Sequence, residues 1–128
     1  MSGISRNLRL LIVDAHADFA ESLAILLEAV GYRVSIAADA TSALRLATSA
    51  EFDAAFIAIA LPDVDGYGLA QRLRALGRPP FLIALTGYGT PRDRARALAA
   101  GFDDHLLKPA DVDQLEDVLA RLLENHPG

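Results

Sequence analysis

Apolar and polar positions along this chain follow two alternating rhythms. Five short apolar runs, Leu8–Val13, Arg33–Ala37, Ala54–Ile59, Phe81–Thr86 and His105–Lys108, are bounded by Gly, Pro or Asp and predict β-strands. Between them apolar residues recur at helical spacing. Phe19, Leu23, Leu26, Leu27 and Val30 form one stripe, closed by Gly31 as a C-terminal cap. Leu69, Leu73 and Leu76 form a second, followed by Gly77, and Val112, Leu115, Val118, Leu119 and Leu122 form the last. The alanine-rich stretch Thr41–Ser49 predicts a weaker helix. Thr90-Pro91-Arg92-Asp93 sets a hydroxyl cap before a first-turn proline and an acid. Asp111-Val112-Asp113-Gln114 has the spacing of a capping box.

Strand–helix units repeated in this way predict an α/β fold, a doubly wound five-stranded parallel sheet with helices on both faces. The runs Leu10–Val13, Ala54–Ile59 and Phe81–Leu85 are apolar almost throughout, as a sheet covered on both sides requires. Ligand chemistry in such sheets sits beyond the carboxyl ends of the strands. The residues to weigh are therefore Asp14-Ala15-His16, Ala58-Ile59-Ala60, Thr86-Gly87 and Lys108-Pro109.

Composition narrows the function classes. The 128 residues suit one domain, and a hydrophobic share of 52% excludes intrinsic disorder. Expected boundaries are an N-terminal extension at 1–7, the domain at 8–124 and a tail at 125–128. Cysteine is absent, which removes disulfides, thiolate metal sites and thiol nucleophiles. The longest apolar run, Ala54–Leu61, is too short to span a bilayer, and Asp14 interrupts Leu10–Val13 as a signal core. A soluble, cytoplasmic domain is the expectation. With 12 basic and 17 acidic groups, net −5, the chain lacks the basic footprint of nucleic-acid or anionic-membrane binding. Arg72, Arg74, Arg78, Arg92, Arg94 and Arg96 cluster locally and read as solvated helix faces, with docking of an acidic partner as the sharper alternative. Lys108 is the one lysine beside 11 arginines, a compact charge at a strand end.

At those strand ends the chain resembles a receiver domain of two-component signalling, from about Leu8 to Leu123. The resemblance is carried by Leu-Ile-Val-Asp (11–14), Leu-Pro-Asp-Val-Asp-Gly (61–66), Ala-Leu-Thr-Gly (84–87) and Leu-Lys-Pro (107–109). Leu-Thr-Gly-Tyr-Gly (85–89) is similar to receivers of hybrid sensor histidine kinases. The resemblance implies the (βα)5 flavodoxin-like receiver fold and partners of the histidine kinase or phosphotransfer type. It also implies transfer of a phosphoryl group to an aspartate after the third strand. Two acids after the first strand then help hold Mg²⁺, while a hydroxyl and a lysine receive the phosphoryl oxygens.

Position by position, Asp14 matches the first acid, Thr86 the hydroxyl and Lys108 the lysine; the Lys108–Pro109 peptide is a cis candidate. Ala15 stands where the second acid belongs, and Ala58 where the acceptor belongs. Asp53 falls at the wrong end of the sheet, while Asp63 and Asp65 lie beyond Pro62, with Asp63 the one substitute left to consider. Asp14 alone is a poor metal cage, so no bound cofactor is expected. A family site with three carboxylates and a lysine carries a charge of about −2, which Mg²⁺ neutralises. Here Asp14 and Lys108 cancel, and direct pairing is the expectation.

Receivers carry Tyr or Phe where His105 stands, so His105 is either a half-buried structural residue or a pH-dependent switch beside Thr86. His16 reads as a rim residue, Gly66 as a backbone-geometry residue and Pro109 as a loop former. The leading reading is a receiver, not an enzyme, that lacks its acceptor and works through protein contacts. By resemblance these involve the first helix with the Pro109 loop, and the face of the fourth helix, fifth strand and fifth helix. One alternative is a normal receiver with both aspartates replaced by alanine by design. Another is a small Mg²⁺-dependent phosphatase-like enzyme using Asp63-Val64-Asp65. Oligomeric state has no signature in the sequence.

Overall fold

Strands and helices alternate along the whole of the computed structural model, which describes residues 8–87, 90–109 and 111–125. In chain order they are β1 (Arg9–Val13), α1 (Ala17–Val30), β2 (Arg33–Ala37), α2 (Ala40–Ser49) and β3 (Ala54–Ala58). There follow α3 (Gly66–Arg74), β4 (Phe81–Thr86), α4 (Pro91–Ala100), β5 (Asp104–Leu107) and α5 (Val112–Asn125). The strands form one parallel sheet in the order β2-β1-β3-β4-β5. The winding reverses between β1 and β3, which opens the crevice that such sheets use for ligands. The expected doubly wound α/β sheet is the observed one. The 1–7 extension, Tyr88, Gly89 and residues 126–128 of the tail lie outside the described residues.

Each sheet face has its own core. Leu10, Ile12, Phe56, Ile83 and Leu85 pack under α1 and α5 against Leu23, Leu27, Leu115 and Val118. Leu11, Val13, Ile57 and Leu82 pack on the other face against Ala43, Leu69, Leu73 and Ala97 of α2, α3 and α4. Alternate residues of one strand thus enter opposite cores, which is why β1, β3 and β4 are apolar at nearly every position. Each large side chain so buried contributes roughly 1.5–3 kcal/mol.

Several local expectations shift. The buried face of α1 is Ala20, Leu23, Ala24 and Leu27. Leu26 and Val30 lie off that stripe and turn outward, at 39% and 62% exposure. Gly31 caps α1 with φ +114°, as its position predicts. Gly77 caps nothing. The last turn of α3 tightens at Ala75 in the right-handed region, and Leu76 N–H donates to Leu73 O at 3.1 Å, before Pro79 and Pro80 force extension. Gly101, with φ +108°, caps α4. Thr90 accepts from Asp93 N–H as predicted. At α5, Asp111 accepts from Gln114 N–H at 2.8 Å, but Gln114 Oε1 accepts from Leu107 N–H at 3.2 Å. That N–H belongs to the open edge of β5, so the glutamine serves the sheet rather than closing a reciprocal box. β5 begins at Asp104, β3 stops at Ala58, and Val112 is 57% exposed.

Candidate functional site

Four strand ends converge on one edge of the sheet, from β1 through β3 and β4 to β5. Asp14 follows β1, and its N–H donates to Ala37 O at 3.0 Å, which extends the ladder and fixes the side chain over the crevice. Its carboxylate is 2% exposed and is the one charged group among the described residues that is fully buried. Oδ1 accepts from His16 N–H at 3.0 Å. Oδ2 stands 2.5 Å from Lys108 Nζ. An ammonium and a carboxylate oxygen this close form an ion pair within the crevice. The expected Asp14–Lys108 pairing is therefore present. His16 sits at the rim, its ring 84% exposed.

Lys108 follows β5, and its N–H donates to Thr86 O at 2.8 Å. Its side chain reaches back across the crevice, with Nζ over the Phe19 ring at 4.6 Å. The Lys108–Pro109 peptide is cis. Thr86, half-buried, is the last residue of β4, and Ala58, buried, is the last of β3. Ala15 is exposed beside Asp14. The order of the strands sets Ala58 between Asp14 and Thr86. The chain then folds back tightly, with Gly66 N–H donating to Ile59 O at 2.7 Å. A Cβ at Gly66 would lie 2.4 Å from Ala58 O, so glycine is required for this close approach.

Asp63, Asp65 and Asp53 are committed elsewhere. Asp63 reaches the start of α2. It accepts from Ala40 N–H and Thr41 N–H at 2.9 Å each, from Thr41 Oγ1 at 2.7 Å and from Val64 N–H. These donors, the Ala40 amide foremost, hold its carboxyl far below the usual carboxylate range. Asp65 caps α3 by accepting from Gly68 N–H at 2.8 Å. Asp53 accepts from Arg9 N–H at the opposite end of the sheet. Among the described residues no three His, Asp or Glu side chains gather as a metal site would require. Mg²⁺ wants an octahedron of oxygen ligands, and this crevice offers one carboxylate with an ammonium already on it.

His105 is half-buried on β5 and lines a small cavity with Ile59, Tyr67, Ala84, Thr86 and Arg94. Burial, then the nearby Arg94 guanidinium, push its pKa below the ordinary value; Asp104 opposes this and Arg121 adds to it. Asp104 itself pairs with Arg121 of α5. The arginine cluster is partly tied up within the chain. Arg74 holds Asp103 and Gly101 O, Arg78 meets Glu51, and Arg96 lies over Tyr67 at 4.3 Å.

Two contacts escaped sequence reasoning. Phe19 reads from spacing as a core residue, yet its ring covers the ammonium, and its place in the first turn of α1, just after the β1 end, is the signal that was available. Asp63 carries no local mark of the helix it caps, 22 residues upstream.

The comparisons with known proteins agree with this architecture. The family described as the response regulator receiver domain matches residues 10–120. The sensor histidine kinase RcsC of Salmonella typhi is 32% identical over 114 residues, 89% of this chain but 12% of that protein. A putative response regulator from Chloroflexus aurantiacus J-10-fl has a crystal structure with TM-score 0.86 and 31% identity, covering 91% of this chain and 98% of that one. A CheY-like receiver domain protein from Methanospirillum hungatei JF-1 gives 0.84 and 33%, covering 94% and 97%. Among the described residues no helix is long and apolar enough to cross a membrane. Sheet order and sequence likeness thus coincide over nearly the whole chain, which belongs to the response regulator receiver domain family.

Proposed function

We propose that this domain is a two-component signalling receiver that accepts no phosphoryl group and acts through contacts with a histidine kinase or phosphotransfer protein. One observation carries the reading: β3 ends on the methyl group of Ala58, and the neighbouring Asp14 is already neutralised by Lys108 at 2.5 Å. Phosphoryl transfer to protein needs a nucleophilic oxygen, and the crevice has lost it. Asp63 and Asp65 are no substitutes, since both cap helices. In this reading Asp14, Ala15, Ala58, Thr86 and Lys108 are remnants of a phosphoryl site. Thr86 and His105 keep the places of a switch pair without the group that would recruit them.

The crevice holds no Mg²⁺ in this reading, because Ala15 supplies no carboxylate and Lys108 supplies the positive charge that the ion brings elsewhere. Partner contact falls on α1 with the Pro109 loop, where Ile25, Leu26 and Val30 are exposed, and on the α4–β5–α5 face, where Leu98 is 65% exposed. A receiver whose two aspartates were replaced by design would share every one of these properties, since they follow from the residues present. Enzymatic turnover is the competing class. With an acyl phosphate and Mg²⁺, phosphate release is expected to match the donor's spontaneous hydrolysis; release that scales with protein concentration would favour the phosphatase-like reading.

A further inference from the structure

Lys108 is held from two sides. Asp14 Oδ2 lies 2.5 Å from Nζ, and the face of the Phe19 ring lies 4.6 Å from it. A ring face carries partial negative charge and attracts a cation. The same Phe19 lines a groove of about 300 Å³ between α1 and the β5–α5 loop, with Asp18, Ser22, Leu23, Leu26 and Pro109. One ring is thus shared by the strand-end ion pair and by a surface groove. Two of the groove's other residues, Ser22 and Leu26, are exposed on the helix that carries Phe19.

We infer that Phe19 is a positioning residue: its ring face holds the Lys108 ammonium on Asp14, and displacement of the ring from the groove side unseats that ammonium. The inference rests on the geometry of Asp14, Lys108 and Phe19. It stands or falls separately from the acceptor reading, which adduct formation tests.

The chain supplies its own probe, since Lys108 is its one lysine and gives a single side-chain ammonium signal in ¹H–¹⁵N spectra. In the unaltered protein that signal is expected to be visible through slow hydrogen exchange. Phe19→Tyr keeps the ring face and the signal, whereas Phe19→Leu fills similar space and loses it; a space-filling role would be met by leucine. Ser22→Trp, which presses on the ring from the groove, is expected to shift or broaden the signal. Ile25→Trp, on the outer side of α1, is expected to leave it in place. Ser22 is exposed, so its variant carries the test if leucine at position 19 loosens the core. Three results would each overturn the inference: a signal absent from the unaltered protein, one retained in Phe19→Leu, or one that fails to distinguish the two tryptophan variants.

Discussion

Asp14 is a buried carboxylate whose stability depends on a single lysine, and that dependence has a measurable size. Removing one partner of a buried pair leaves an uncompensated charge and costs about 3–5 kcal/mol. Lys108 is 22% exposed, so Lys108→Met is expected near the lower end, about 3 kcal/mol in denaturant unfolding. Asp14→Asn with Lys108→Met should cost less than the two single changes summed; additivity in the cycle would mean the pair is uncoupled. Adding acids is expected to destabilise the metal-free protein. Ala15→Asp with Ala58→Asp crowds three carboxylates around one ammonium, and like charges so close disfavour the fully ionised site. The melting temperature in chelator should fall, and Mg²⁺ should restore it in the double variant while leaving the unaltered chain unmoved. At this scale Asp14, Ala58, Thr86 and Lys108 were legible, because each follows an apolar run and a strand end is a fixed address. The Phe19–Lys108 contact was not, because it joins the first helix to the last strand and periodicity along either segment cannot show it.

Among the elements, the loop after β3 is fastened to α2 by Asp63, which satisfies two of the amide donors that every helix start leaves open. Its folded-state pKa lies below the unfolded value near 3.9, so the stabilisation is complete above about pH 4 and is lost as pH falls toward the folded value. Asp63→Asn is therefore expected to lower the melting temperature by a constant amount from pH 7 to pH 5, with the deficit shrinking below pH 4. A deficit that persists undiminished in acid would show that the carboxylate charge is not what holds the loop. Local chemistry predicted the cap at Thr90 and the glycine at Gly31, since the residues concerned lie within one turn. It misassigned Gly77 and Gln114, where the following prolines and the open edge of β5 decide the outcome.

Over the whole molecule, one titrating side chain sits where α4, β5 and α5 meet. His105 is driven toward its neutral form by burial and by Arg94, so its folded-state pKa lies below the ordinary 6.5. The unfolded chain then binds more protons in the window beneath that value, and stability declines as pH falls below about 6.5. His105→Phe should flatten this part of the stability profile. An unchanged slope would place the acid sensitivity elsewhere. The sheet as a whole was legible because burial on both faces leaves β1, β3 and β4 little choice but unbroken apolar runs. In the proposed reading, what the crevice does turns on alanine rather than a carboxylate at positions 15 and 58. The most direct measurement is intact-mass spectrometry after incubation with a small acyl phosphate and Mg²⁺. This chain is expected to keep an unmodified mass, and the Ala15→Asp, Ala58→Asp double variant to gain a single phosphoryl adduct. A phosphoryl adduct on the unaltered chain would contradict the proposed reading.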